Sequence, residues 1–185
     1  MNIDKVIKIE SYTLINYTEL SLKRREKILE YRNHDSVRKW MIDDSIISLE
    51  DHLSFIDNLR NDNSKHYYAV VKEDNILGCI YITDWNNNSK TCEWGCFLNP
   101  KFFGLGLKLG YIFVNLIFIY FKAIKIYANV CVENVGAIQL NTVLGFKELS
   151  NKNNIIHYEL ESVFWNVIPE SYRLFIKKIK KTLKK

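Results

Sequence analysis

Runs rich in β-branched and aromatic residues at Tyr12–Tyr17, His66–Lys72, Ile76–Thr83 and Thr91–Leu98 predict strands. The second and third are joined by a tight turn at Glu73–Asn75, the third and fourth by one at Asn86–Lys90. Helical spacing fills the gap after the first strand. Ser21–Arg32 reads as a helix, with Ser21 as N-cap and the charged residues Lys23–Glu26 in its first turn. Asn33–Ser36 reads as a turn and Val37–Met41 as a short helix. Ser48-Leu-Glu-Asp51 has the form of a capping box, opening a helix with Leu49, Leu53, Ile56 and Leu59 on one face. Beyond Leu98 the pattern predicts a helix over Leu107–Phe121, a strand over Ile124–Val132, a short helix after Asn134 and a last strand at Ile155–Leu160. Hairpin-paired strands followed by a strand–helix–strand crossover predict a mixed sheet with helices on both faces, in the α/β (α+β) class.

Leu109–Phe121 contains thirteen consecutive uncharged residues. A membrane span needs about 20, and Lys108 and Lys122 close this run, so it reads as a helix buried on a sheet. The 185 residues, 48% hydrophobic and 25% charged, suit one soluble domain with a sizeable core, placed at residues 1–165. Residues 166–185 form a basic amphipathic tail, with Leu174, Phe175, Ile179 and Leu183 opposite the cations, suited either to an anionic membrane surface or to solvent. Seven of the cations lie between Arg173 and Lys185, and taking them from the net +5 leaves −2 for the rest. A nucleic-acid-binding domain is therefore not expected. Cys79, Cys92, Cys96 and Cys131 sit in apolar strands without metal-ligand spacing, which predicts reduced thiols, no metal site and a cytoplasmic setting. The opening Met1-Asn-Ile-Asp-Lys lacks the pattern of a cleaved leader. Nothing in the sequence fixes the oligomeric state.

The chemistry concentrates at Asn99-Pro-Lys101-Phe-Phe-Gly104-Leu-Gly106-Leu-Lys108-Leu-Gly110, where a strand runs into a helix. A basic residue, two glycines and a helix start present backbone N–H groups and a positive dipole to an anion, and the expected ligand is a diphosphate. A nucleotide P-loop is excluded, because no Lys-Ser or Lys-Thr pair follows the glycines. The dinucleotide fingerprint fails too: Leu109 stands where its third glycine belongs, and Ala123–Tyr127 where its acidic residue belongs. A second block, Asn134-x-x-Ala137-Ile138-x-Leu140 closing on Gly145-Phe146, follows about thirty residues later.

In order and separation, the two blocks resemble the acetyl-CoA loop and the following segment of the GNAT superfamily of N-acetyltransferases, over roughly Tyr12–Glu161. The resemblance implies a mostly antiparallel central sheet, acetyl-CoA as cofactor, and a small-molecule or peptide amine as acceptor. By position it places Lys101, Gly104, Gly106, Lys108, Asn134 and Ala137 against the cofactor. The backbone at Phe97 and Leu98 lies where the family polarises the thioester carbonyl. The amine must lose a proton to attack, and Glu93 and Glu133 are both placed to take it. Glu93 lies in an apolar run, where a carboxylate must be paired, protonated or functional; Glu133, at a strand end, reads equally as a solvated residue. Many members carry a tyrosine where this chain has Asn141. An amide donates a hydrogen bond to a departing thiolate but is no titrating acid.

Arg32-Asn-His34, Val37-Arg38-x-Trp40-Met41 and Ser48-Leu-x-x-His52-x-x-Phe55-Ile56 resemble the amino-terminal half of bacterial sugar-nucleotide N-acetyltransferases of the pseudaminic-acid pathway. Ribosomal-protein N-terminal acetyltransferases share a looser form. The first resemblance implies the 4-amino group of a UDP-linked amino sugar as acceptor, with Arg32, His52 and Thr83 lining its pocket. A protein or peptide amine is the alternative, as is a degenerate acyl-CoA-binding protein without catalysis. Arg32 reads equally as a helix-end cap, and His52 as a core or surface residue.

Overall fold

A computed structural model describes residues 5–9 and 11–165; the predicted tail lies outside them. Eight strands are β1 (Val6–Ile9), β2 (Tyr12–Asn16), β3 (His66–Lys72), β4 (Asn75–Asn86), β5 (Thr91–Leu98), β6 (Lys125–Cys131), β7 (Lys147–Lys152) and β8 (Ile155–Glu161). The α-helices among the described residues are α1 (Leu22–Asn33), α2 (Asp35–Arg38), α3 (Leu49–Asn58), α4 (Gly106–Asn115) and α5 (Val135–Val143). The strand order is β1-β2-β3-β4-β5-β6-β8-β7, and the β5–β6 pairing is parallel. The chain packs as two units, one holding the chain up to Thr83 with Cys96–Phe103, the other Asp84–Gly95 and the chain from Gly104 onward.

In the first unit, β1–β2–β3–β4 form an antiparallel meander. The predicted turn at Glu73–Asp74 has both residues at positive φ, 48° and 62°, as a two-residue hairpin requires. β1 extends the expected set: Val6–Ile9 pairs with Tyr12–Ile15 and buries Ile7 and Ile9. Helices α1, α2 and α3 contribute Ile28, Val37 and Ile56 to a core with Ala69, Val71 and Cys79. Each such side chain contributes about 1.5–3 kcal/mol when withdrawn from water. The buried stripe on α3 is His52, Ile56 and Leu59, an i, i+4, i+7 face. Leu49, expected on that face, is exposed.

Ser48 caps α3 by accepting from Asp51 N at 3.0 Å, while its hydroxyl donates to Asp51 Oδ2 at 2.6 Å. The acid therefore bonds the serine hydroxyl in place of the box's reciprocal backbone contact. Ser21 occupies the cap position of α1 without a side-chain bond. Helix α2 starts at Asp35, two residues before the predicted Val37, because the His34 side chain accepts from Ser36 N and serves as its cap.

In the second unit, β6 pairs antiparallel with β8, and β8 with β7. Ile126, Ala128 and Val130 alternate with half-exposed or exposed polar neighbours, and Ile156, Tyr158 and Leu160 do the same on β8. One face of these strands is apolar core, and the other carries Lys125, Asn129, His157, Glu159 and Glu161. The α4 run is core: Leu109, Tyr111–Val114, Leu116 and Ile117 are buried. Pro100–Tyr120 is long and apolar enough to cross a membrane, with mean hydropathy 1.9, but half of that window is buried inside the protein. After Asn115 the helix widens into a π turn, Leu116–Tyr120. Asn115, fully buried, donates to Tyr111 O and accepts from Trp165 Nε1, so both ends of its amide are satisfied.

Candidate active site

Glu93 lies on β5 in the second unit, paired in parallel register with Tyr127. Two residues further along β6, on the same face, Asn129 donates from Nδ2 to Glu93 Oε2 at 2.5 Å. Asn129 is in turn the register partner of His157 on β8, and its Oδ1 stands 2.6 Å from His157 Nδ1. A carboxylate only accepts, so Asn129 presents its N–H to Glu93 and its carbonyl to His157, whose Nδ1 carries the proton. Burial pushes the Glu93 carboxyl above the usual carboxylate range, and the charge of Asp84 adds to that rise. The group sits half-buried, held by a neutral donor and, among the described residues, by no ion pair. Such burial favours the protonated form, which makes Glu93 a candidate proton acceptor. Glu133 lies exposed in the turn after β6. The sequence singled out Glu93 but not Asn129 or His157. Their signal was a polar residue at alternate positions of two strands, legible only once those strands are known to pair.

Asn134 caps α5, accepting from Ala137 N at 3.0 Å. Asn134 and Ala137, both expected at the cofactor, thus bond each other, leaving Asn134 Nδ2 for other work. Asn141 is 4% exposed and donates to Ala137 O one turn back; its Oδ1 is buried without a hydrogen-bond partner. One amide hydrogen is therefore already used within the helix, and the unmatched group is an acceptor.

The loop from β5 to α4 is a 3-10 segment, Pro100–Leu105, kinked at Phe102 (φ −127°, ψ 23°). In the first unit, buried Asn99 organises its start: the Asn99 side chain donates to Ile76 O and accepts from Lys101 N, and its carbonyl accepts from Phe102 N. In the second unit, α4 opens at Gly106 with Leu105 in the cap position and no side-chain cap, and the 3-10 segment runs directly into it, so the helix dipole points its positive end back along this loop. Lys101 and Lys108 are exposed. Left-handed backbone is not what the glycines supply here. The segment is wound as helix, and the glycine at positive φ among the described residues is Gly145. A Cβ on Gly104 would meet no protein atom within 4 Å. Neither packing nor dihedral angle demands glycine at 104, and the clear space in front of it suits a close-approaching phosphate. A Cβ on Gly110, by contrast, would lie 3.1 Å from both Leu140 and Leu144, so that glycine seats α5 against α4.

At the end of β5, in the first unit, a Cβ on Gly78 would lie 2.5 Å from Phe97 O, and Asn99 N donates to Leu77 O. The Phe97 carbonyl therefore faces β4. Because a trans peptide points its C=O and N–H in opposite directions, the Leu98 N–H faces away from β4. That is the orientation a donor to a thioester oxygen needs.

The acceptor-side candidates lie in the first unit. Arg32, at the end of α1, donates from Nη2 to Asp43 O at 2.6 Å, while Nη1 is buried without a hydrogen-bond partner. It thus reaches across to a loop and does not cap its own helix. Arg38 donates to Asp44 O and Asp35, and Asn33 exchanges two hydrogen bonds with Ile47, so the 43–47 loop is strapped to α1 and α2. His52, 5% exposed, bonds Arg25 O through Nε2 and meets Tyr17 edge-on; burial holds its pKa below the usual histidine value. Thr83 is half-buried on β4. Tyr67 and Tyr81, register partners on β3 and β4, stack at 5.2 Å, with Phe55 edge-on to Tyr67 at 5.0 Å. This aromatic platform went unnoticed in the sequence, where the two tyrosines are fourteen positions apart.

An acetyltransferase (GNAT) domain matches residues 17–147. The acetyltransferase PseH of Campylobacter jejuni strain 81-176 is 32% identical over 127 residues, which are 69% of this chain and 79% of PseH. The crystal structure of C. jejuni PseH with acetyl coenzyme A superposes with TM-score 0.69 at 25% identity, covering 82% of this chain and 99% of that one. Spermidine N-acetyltransferase of Vibrio cholerae, with CoA and spermine, gives TM-score 0.76 at 17% identity over 84% of this chain and 98% of its own, a likeness of fold. A mixed, mostly antiparallel sheet, an anion-ready loop at the β5–α4 junction and a half-buried carboxylate beside it in sequence lead to the same conclusion as these similarities: the chain belongs to the GNAT acetyltransferase family and is an acetyl-CoA-dependent N-acetyltransferase.

Proposed function

We propose that this enzyme acetylates the 4-amino group of a UDP-linked amino sugar, with Glu93 as the base. The observation that carries the acceptor is the 32% identity to PseH across 79% of that protein, with which the motif resemblance around Arg32 and His52 agrees. The buried, unpartnered Nη1 of Arg32 supports it, as an unmatched donor suits a phosphate or uracil oxygen. The stacked Tyr67 and Tyr81 offer a flat surface to a sugar or base. His52, whose Nε2 is bonded to Arg25 O, shapes the wall, and Thr83 presents a hydroxyl.

Acetyl-CoA supplies the activated acetyl group. The loop holds its diphosphate through the start of α4, with Lys101 and Lys108 as counter-charges and Gly104 and Gly106 allowing close approach. The Leu98 N–H, next to Phe97, is the donor for the thioester oxygen. Asn134 and Ala137 shape the α5 side, and the second amide hydrogen of Asn141 is the candidate donor to the departing sulfur. Glu93, as carboxylate, takes the proton that the amine must lose, directly or through water. The four free cysteines agree with a cytoplasmic setting.

The test is thiol release from acetyl-CoA with panels of UDP-amino sugars, polyamines and peptides. Preferential turnover of a UDP-4-amino sugar supports the proposal. Preference for a polyamine or a peptide replaces the acceptor, and acetyl-CoA binding without turnover on any amine defeats catalysis.

A further inference from the structure

We infer that Asn129 and His157 are positioning residues for the base, a three-strand hydrogen-bonded row in which His157 fixes Asn129 and Asn129 fixes one oxygen of Glu93. The inference rests on Glu93 being the base, and concerns what aims it.

The row crosses β5, β6 and β8 with two contacts, 2.5 Å and 2.6 Å. Each member has one role open to it. Asn129 Oδ1 needs a donor, and His157 Nδ1–H is the one in reach. With Oδ1 so held, the amide cannot flip, and Nδ2 must face Glu93. With Oε2 occupied, Oε1 is the atom left for the acceptor's proton. A glutamate on a strand has three rotatable bonds, and locking one oxygen removes most of that freedom before substrate arrives. The protein has placed a neutral amide, and not a lysine or arginine, against the carboxylate. A cation would hold the group ionised and make it a much weaker base; an amide orients it while lowering its basicity less.

The charged and titratable groups around Glu93 are few. Asp84 from β4 disfavours its charge, and the buried Cys92 thiol neighbours it on β5. Tyr127 is its register partner on β6, and His157 stands beyond Asn129 on β8. Lys125 is taken up by Glu159 and Glu161, 2.8 Å and 3.1 Å away. Removing the Asn129 donor leaves burial and Asp84 unopposed, so the Glu93 carboxyl shifts further upward. Removing His157 frees the Asn129 amide to turn, giving the same shift in smaller measure.

The experiment combines carboxyl ¹³C NMR titration of the full chain with pH–rate profiles, for wild type, Asn129→Leu, Asn129→Gln and His157→Phe. The NMR needs no acceptor and no cofactor. Asn129→Leu and His157→Phe are expected to raise the Glu93 midpoint, to move the acid limb of kcat/KM upward with it, and to lower kcat by about 10–10²-fold with little change in the KM for acetyl-CoA. Asn129→Gln, which keeps the amide, is expected to recover part of the loss. If Asn129→Leu proves unfolded by circular dichroism, His157→Phe, on a different strand, carries the test. Unchanged Glu93 titration in the folded variants overturns the inference. Full activity of Glu93→Gln overturns instead the assignment of the base, whatever the titrations show.

Discussion

Asn129 Nδ2 lies 2.5 Å from Glu93 Oε2, and among the described residues no ion pair to this carboxylate is formed. Its raised pKa comes from burial, with the charge of Asp84 adding to it, and with Glu93 proposed as the base, the acid limb of activity is assigned to it. Rate is expected to rise with pH through that raised pKa, because only the carboxylate accepts a proton. Glu93→Gln should lower turnover by about 10²–10⁴-fold, while exposed Glu133→Gln changes it little. Comparable losses in both variants, measured by thiol release, would place the base elsewhere.

The same burial has a stability consequence of fixed sign. A carboxyl whose folded pKa is raised stabilises the fold while protonated, and that contribution is lost as pH rises through the folded value. Glu93→Gln, which stays neutral and still accepts from Asn129, should therefore melt above wild type at pH 7. The gap should close in acid. Calorimetry at pH 4 and pH 7 checks both limbs.

Two glycines are expected to separate fold from ligand. Gly78→Ala drives a Cβ to 2.5 Å from a backbone carbonyl and should destabilise by more than about 2 kcal/mol. Gly104→Ala meets nothing and should leave the melting temperature unchanged or higher. Only the second should weaken acetyl-CoA binding, by about tenfold or more by titration calorimetry, the methyl standing where a phosphate approaches.

His66 is buried on β3, and burial lowers its pKa to about 4. Unfolded, it titrates near about 6.5. The unfolded chain then binds more protons between these values, so stability should fall as pH drops from 6.5 toward 4 and level off below. His66→Gln should flatten that part of the urea-midpoint profile. An unchanged slope would assign the acid sensitivity to other groups.

Asn141 leaves an acceptor unmatched in the interior, a loss of about 1–3 kcal/mol. Asn141→Leu removes both that acceptor and the bond to Ala137 O, so its melting temperature should hold or rise. If Asn141 also serves the departing sulfur, kcat falls while stability does not. A fall in both would make it purely structural.

Much of the fold was legible because hairpin turns and helix caps are local. Glu73–Asp74, Ser48 and Asn134 each do their work within a few residues of themselves. β1 and β7 were not legible. Val6–Ile9 is four residues long, and Lys147–Lys152 is polar at every position but Leu149 and exposed at five of its six positions, so each is a strand by virtue of its partner. The candidate site divides the same way. Glu93 and the glycine loop announce themselves by an acid in an apolar run and by spacing. Asn129 and His157, twenty-eight residues apart, become neighbours only through the β6–β8 register. The buried face of α3 was misassigned because His52, counted as polar, takes the place expected of Leu49 once its ring bonds Arg25 O.

The grip of Arg32 and Arg38 on the 43–47 loop falls on the main-chain oxygens of Asp43 and Asp44. Main-chain oxygens do not titrate, and their attraction is weakly screened by salt. The arginines thus do not depend on the two carboxylates; Asp43 Oδ1 accepts from Ser45 N within the loop, a bond that an asparagine oxygen would also make. Replacing both with asparagine would erase two charges from this surface and leave the strap fastened. The loop's electrostatic character and its shape can therefore drift independently, which gives a lineage room to retune what approaches this face without rebuilding it.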